Sequence, residues 1–252
     1  MRKSMTAIMA LTLSVGFSAA LGMGSVQAAE GWTKINEEWR YYDQNDQPVT
    51  QVWKQSKGDW YYLSLEGAIL KHRIFMDQDC NYYVDEDGRR VQSRWIYVDS
   101  SNCPNGEFEE GWYYFGASGK GYRRKNNSFK RNIGDSTYIF DDNGKMLSGW
   151  FDEDGNPIED SEIPFVEGVY YAREDGRLLT GEWLDYEEVD EKIGGIDLDS
   201  EVAGRNYMDY DKMWIFFDSN SKKVKSNGTR LRQKTINGNQ YGFDKNGIMI
   251  PW

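Results

Sequence analysis

The sequence predicts an all-β chain, a β-hairpin repeat solenoid of about eight hairpins with three loop insertions. Three observations predict it. A turn position recurs at Asp46, Gly67, Gly88, Gly119, Gly144, Gly176, Ser221 and Gly247, spaced 21 residues apart at first and more widely as insertions enter. Aromatic residues keep fixed offsets from that position. Seven residues before it stand Trp39, Trp60, Trp112 and Trp214, and five before it Tyr41, Tyr62, Tyr83, Tyr114, Tyr171 and Phe216. A further Trp opens most copies, at Trp32, Trp53, Trp95, Trp150 and Trp183, and Trp252 begins a copy that is not completed.

Each copy reads as a hairpin. The stretch Gln51 to Leu70 shows the plan: Trp53 on a first strand, a turn at Lys57-Gly58, a second strand Trp60-Tyr61-Tyr62-Leu63, and a second turn closed by Gly67. The same first turn is expected at Asn36-Glu37, Gln78-Asp79, Gly134-Asp135 and Asn237-Gly238, the last being the strongest short hairpin signal. The second turn, as in Asp85-Glu86-Asp87-Gly88, needs a left-handed residue, which glycine supplies at least cost. A lone hairpin is barely stable in water, so each copy must bury an aromatic face against its neighbour.

The composition agrees. Hydrophobic residues at 39% against 28% charged are few for a thick layered core, while 15% aromatic content and 26 glycines suit many short strands with frequent turns. The chain opens like an export leader, with Arg2 and Lys3, an apolar stretch from Met5 to Gly22, and a small-residue cleavage site ending at Ala28. Residues 1–28 are therefore expected to be a signal peptide and 29–252 a single repeat array that leaves no room for a catalytic domain. Loss of Arg2 and Lys3 takes the formal charge from −11 to −13, which argues against nucleic acid. No membrane insertion is expected, because no later apolar run is long enough to span a bilayer.

In an exported chain the two cysteines, Cys80 and Cys103, are expected to form a disulfide that pins an insertion to its neighbour. The insertions, Val98 to Glu110, Asp152 to Gly168 and Leu184 to Lys212, lengthen first turns and are acidic. They read as solvated loops. The run Asp152-Glu153-Asp154-Gly155-Asn156 carries a weak calcium signal that lacks a closing glutamate, so neither metal nor cofactor is expected.

The repeated Trp residues suggest aromatic cages. Indole faces attract a quaternary ammonium without hydrogen bonds, and they stack equally on the apolar face of a sugar. The competing use of the same rings is as the core of a thin array. The pattern Gly-Trp, Trp-Tyr-Tyr, Gly-x-hydrophobic is seen in Gly31-Trp32 with Trp39-Arg40-Tyr41-Tyr42, Trp53 with Trp60-Tyr61-Tyr62, and Trp95 with Gly111-Trp112-Tyr113-Tyr114. It resembles the cell-wall-binding, or choline-binding, repeat, and is similar to the glucan-binding repeats of glucosyltransferases and the oligosaccharide-binding repeats of clostridial toxins.

That resemblance implies a left-handed superhelix of hairpins with ligand cages between consecutive ones. By column, the first cage comprises Trp32, Trp39 and Tyr62, and the second Trp53, Trp60 and Tyr83. The third has Trp95 and Trp112, with Ile139 opening one wall. The implied function is that of a secreted, cell-surface-associated, non-catalytic protein. Its partner would be choline-bearing teichoic acid or an envelope glycan. The alternative is an adhesin or scaffold that binds another protein through its acidic insertions. A hydrolase is not expected, since a thin array offers no deep pocket.

Overall fold

The structure, a computed structural model, describes residues 30–125, 128–159, 164–185, 214–228 and 230–250. The expected leader, Trp252, and residues 186–213 of the longest insertion lie outside the described residues. Among the described residues the chain is all-β apart from one four-residue helix, and it divides into two compact units.

In the first unit, strands β1 (Gly31–Ile35) and β2 (Glu38–Tyr42) form hairpin 1. Hairpin 2 is β3 (Val52–Ser56) with β4 (Asp59–Leu63), and hairpin 3 is β5 (Arg73–Asp77) with β6 (Cys80–Val84). Strand β7 (Arg94–Val98) follows, and β8 (Gly111–Phe115) falls where the units divide.

In the second unit, β9 (Lys130–Ile133), β10 (Ser136–Phe140) and β11 (Met146–Leu147) form a three-stranded sheet. Strand β12 (Gly149–Phe151) pairs with β13 (Tyr170–Ala172) across an insertion that holds helix α1 (Pro164–Glu167). The ends of the longest insertion are closed by β14 (Trp183–Asp185) on β15 (Trp214–Phe216). A sheet of β16 (Arg232–Ile236), β17 (Asn239–Phe243) and β18 (Met249–Ile250) completes it.

Turn chemistry sets the pairing. All five expected two-residue turns join the strands they were expected to join. Asn36-Glu37, Gln78-Asp79 and Asn237-Gly238 have positive φ at both residues, the twist that suits a tight antiparallel hairpin. The second-turn position is left-handed in every copy, from Asp46 (φ 56°) through Gly88 (φ 83°) and Ser221 (φ 64°) to Gly247 (φ 90°). An aspartate three residues earlier often caps the turn. Asp85 Oδ1 accepts from the amides of Asp87 and Arg89, and Asp218 and Asp244 repeat that pattern.

Gly155 is a further turn of this kind (φ 77°), with Asp152 Oδ1 accepting from the amides of Asp154 and Asn156. The acidic run in the second insertion is thus a turn of the repeat, and its leading carboxylate is spent on backbone amides. Burial is the largest single influence on the Asp152 carboxyl and pushes it up. The Asn156 side-chain amide on Oδ2 (2.8 Å) and those backbone bonds together hold it below its usual range.

One hydrogen bond recurs between consecutive hairpins and confirms the columns. At five of the turn positions, the amide two residues after the turn donates to the carbonyl seven residues before the preceding one. It joins Ile69 to Trp39 (2.9 Å), Arg90 to Trp60 (2.8 Å) and Gly121 to Asn81 (2.8 Å) in the first unit. Leu178 to Thr137 (2.9 Å) and Lys223 to Val169 (2.8 Å) repeat it in the second. The hairpin edges are thereby satisfied by neighbours instead of water.

The cysteines do not form the expected disulfide; both are free. Cys103 is buried in its own loop, its Sγ accepting from the Phe108 amide (3.3 Å) and facing Asn105 Oδ1 (3.8 Å). The insertion is nonetheless pinned to hairpin 3, by the Ile74 amide donating to the Asn102 carbonyl (3.2 Å). Among the described residues no helix is long and apolar enough to cross a membrane.

Candidate functional site: the aromatic seams

Register decides which rings meet. Two-residue turns make Trp32 oppose Tyr41, Trp53 oppose Tyr62, and Lys54 oppose Tyr61. Neighbouring strand residues point to opposite faces. Hairpin 2 therefore shows Lys54 and Tyr61 on one face and Trp53, Gln55, Trp60 and Tyr62 on the other. The first face meets hairpin 1 and the second meets hairpin 3, giving two aromatic seams in the first unit.

In the first seam Trp32 stands edge-on to Tyr41 (5.3 Å) and to Tyr61 (5.8 Å). The Lys54 ammonium lies 4.2 Å from the Tyr41 ring centre. The Tyr41 hydroxyl donates to Glu30 (3.0 Å), which pushes its pKa up. Trp32 is half-buried, and Trp39, on the same face as Trp32, is 43% exposed. The Ile69 amide donates to the Trp39 carbonyl (2.9 Å).

The second seam is filled more tightly. Trp53 meets Tyr62 (5.2 Å), Tyr82 (5.0 Å) and Phe75 (5.8 Å), and its Nε1 donates to Asp77 (3.1 Å). The Arg90 guanidinium lies 5.6 Å from the Trp53 ring and 5.5 Å from the Trp60 ring. Burial pushes the Tyr62 and Tyr82 hydroxyls up, with Asp77 adding to the shift at both.

Four of the expected residues are where the columns placed them: Trp32 with Trp39 on one face, and Trp53 with Trp60 on another. The third wall is one residue off in both cages. Tyr61 stands in for the expected Tyr62, and Tyr82 for the expected Tyr83. Tyr62 belongs to the second seam. Tyr83 is 4% exposed on the opposite face, against Phe115 (5.9 Å), its hydroxyl bonded to His72 Nδ1 (3.1 Å). A one-residue slip changes the face of every side chain, so the error is complete. Counting pairs outward from the Lys57-Gly58 turn would have found it.

Of the third set, Trp95 is half-buried on β7 in the first unit, and Trp112 is 44% exposed on β8 in the second. Ile139 is fully buried, in a core with Phe151, Tyr170, Ala172 and Leu178, so it opens no wall.

Elsewhere in the second unit, Trp150 is core, and Trp183 is a partly buried ring packed against another cluster. Trp150 is packed with Phe165, Leu179, Leu184, Ile215 and Phe217. Trp183 is enclosed by Phe216 (4.9 Å), Tyr241 (5.0 Å) and Phe243 (5.8 Å). The Lys223 ammonium lies 5.5 Å from the Trp150 ring and bonds the carbonyls of Phe165 and Val166, capping α1. Lys130 likewise covers Tyr170, 3.9 Å from its centre, and burial pushes that lysine down to about 8.

Burial pushes the Lys223 ammonium down to about 7, with Lys225 acting in the same sense. Between about 7 and the ordinary lysine value of about 10.4, the unfolded chain keeps a proton that the folded chain has released. This residue's contribution to stability therefore rises with pH through that window and is flat below it. Urea melts at pH 7 and pH 10 check this. Wild type should gain relative to Lys223→Met on going to pH 10, by at most about 1.4 kcal/mol per pH unit.

No family model matches the chain. It is 24% identical over 232 residues to glucosyltransferase-S of Streptococcus downei, covering 86% of this chain and 16% of that protein. Its fold matches the modular autolysin LytC of Streptococcus pneumoniae (TM-score 0.54, 15% identity, 87% of this chain and 38% of that one). It also matches choline binding protein F of the same organism (TM-score 0.51, 18% identity, 88% and 58%). The chain thus spans less than two thirds of each of these three proteins. Its fold is that of part of LytC and of choline binding protein F, an array of β-hairpin repeats.

Proposed function

We propose that this chain is a secreted, surface-associated, non-catalytic binding protein. Its site is the seam between hairpins 1 and 2, and its ligand a choline-bearing or glycan component of a cell envelope, with choline-bearing teichoic acid as one carrier. The observation that carries this reading is exposure: Trp32 and Trp39 share one face with Trp39 open to solvent, while Trp150 is sealed in a core. Open indole faces attract quaternary ammonium and stack on sugars. The fold neighbours give support on the glycan side. LytC has been solved with a synthetic peptidoglycan ligand, and choline binding protein F in the presence of a peptidoglycan analogue.

The residue types of a serine hydrolase do meet in the first unit, in an order that does not serve hydrolysis. Ser101 Oγ donates to Asp99 Oδ1 (2.6 Å), and His72 Nε2 stands 3.5 Å from Ser101 while Nδ1 meets the Tyr83 hydroxyl. The serine hydroxyl thus donates to the carboxylate and not to the imidazole, whose Nδ1 is held by a tyrosine, the reverse of a working triad.

Retention on immobilised choline, insoluble α-glucan and purified peptidoglycan tests the proposal. Wild type should be retained on at least one. Tyr61→Ala should weaken that retention about tenfold, while Tyr62→Phe leaves it unchanged. Retention on none of the three overturns the reading and favours a protein partner for the acidic insertions.

A further inference from the structure

The two seams of the first unit share a frame and differ in one side chain. The position whose amide bonds the preceding Trp carbonyl is Ile69 at Trp39 and Arg90 at Trp60. Arg90 is held there on several sides. Its guanidinium is within 6 Å of both indole centres. Gln92, in the orientation that satisfies both ends of its amide, accepts from Arg90 (2.8 Å) and donates to the Ala117 carbonyl (3.3 Å). Gly119 lies so close over the arginine stem that a Cβ there would come within 2.6 Å of it. A guanidinium flanked by two indoles is the arrangement such rings offer an external cation.

The same substitution occurs once more, independently. Lys223 occupies the position of Arg90 in the second unit, with its amide on the Val169 carbonyl and its ammonium over Trp150. In both places a leading Trp has a cation of its own chain against its face. In the first seam the chain's own cation, Lys54, lies over Tyr41, and an isoleucine takes the position beside Trp39.

We infer that Arg90 is a built-in plug: its guanidinium occupies the Trp53–Trp60 seam and bars a quaternary ammonium ligand from it, so that Ile69 versus Arg90 decides which seam of the first unit accepts such a ligand. This rests on the reading that open seams take ammonium or glycan. Removing the plug creates a site. Moving it to the first seam destroys one.

Equilibrium dialysis of the full chain against radiolabelled choline tests this. Arg90→Ile should bind one more choline per chain than wild type, and Ile69→Arg one fewer. Circular dichroism checks that each variant folds, and the two opposite substitutions keep the test decisive if one of them does not. A wild type that binds choline with neither variant changing the count overturns the plug and leaves the proposed function standing. A wild type that binds none while Arg90→Ile binds one supports the plug and overturns the choline form of the proposed function. Binding by none of the three overturns the plug and the choline form of the proposed function, and leaves its glycan form to the retention assay.

Discussion

Trp150→Ala should lower the unfolding free energy by about 3–5 kcal/mol, the cost of truncating a large aromatic side chain in a packed core. Trp150 is 6% exposed and lies among Phe165, Leu179, Leu184, Ile215, Phe217, Ile248 and Ile250. Its ring meets Tyr171 at 4.9 Å and Phe217 at 5.8 Å. Gly168 packs so closely on it that a Cβ would come within 2.4 Å of the ring, so little can move in to fill the space. The truncation also removes the ring beneath the buried Lys223 ammonium. Chemical denaturation measures the loss. A cost below about 1 kcal/mol would mean that this ring is not core, and the contrast with the first seam would fail.

Trp39→Ala should do the opposite. Trp39 is 43% exposed, so its loss should cost little stability, within about 0.5 kcal/mol as for most surface positions. Its expected effect is on binding. It is the open wall of the first seam, and its backbone carbonyl, which holds the Ile69 amide, is untouched by the substitution. A cation or a sugar that stacks on it loses a contact worth about 0.5–2 kcal/mol, or up to roughly thirtyfold in affinity. Trp32→Ala should weaken binding as well but should also loosen the hairpin, because Trp32 packs on Tyr41 and Tyr61. Titrations of the two variants, beside their melting curves, separate the roles.

Much of this was legible in the sequence because turns are local. Gly67 and Gly88 announce left-handed positions, and Lys57-Gly58 or Asn237-Gly238 fixes a hairpin whatever lies around it. The faces were harder. Trp60-Tyr61-Tyr62 places an aromatic ring on both sides of the strand, so composition cannot say which tyrosine walls which seam; pairing register can. Left-handed Gln51, His72 and Ser93 gave no signal, because those residues are chosen elsewhere for other reasons and here are held by amides bonding to Leu63, Asp85 and Gly116. The Gly155 turn was hidden by its acidity, which suggested calcium. The disulfide expectation rested on compartment chemistry alone, and Cys103 instead folds into its own loop. Arg90 lacked any local mark: a basic residue after a turn reads as solvated until two indoles are seen beside it.

Indole N–H resonances followed by NMR during titration with choline, and separately with a soluble glucan oligosaccharide, test the central claim most directly. The account predicts that Trp32 and Trp39 shift with one of these ligands while Trp150 and Trp183 stay fixed. Shifts confined to Trp150 or Trp183, or none at Trp32 and Trp39 with either ligand, would contradict it.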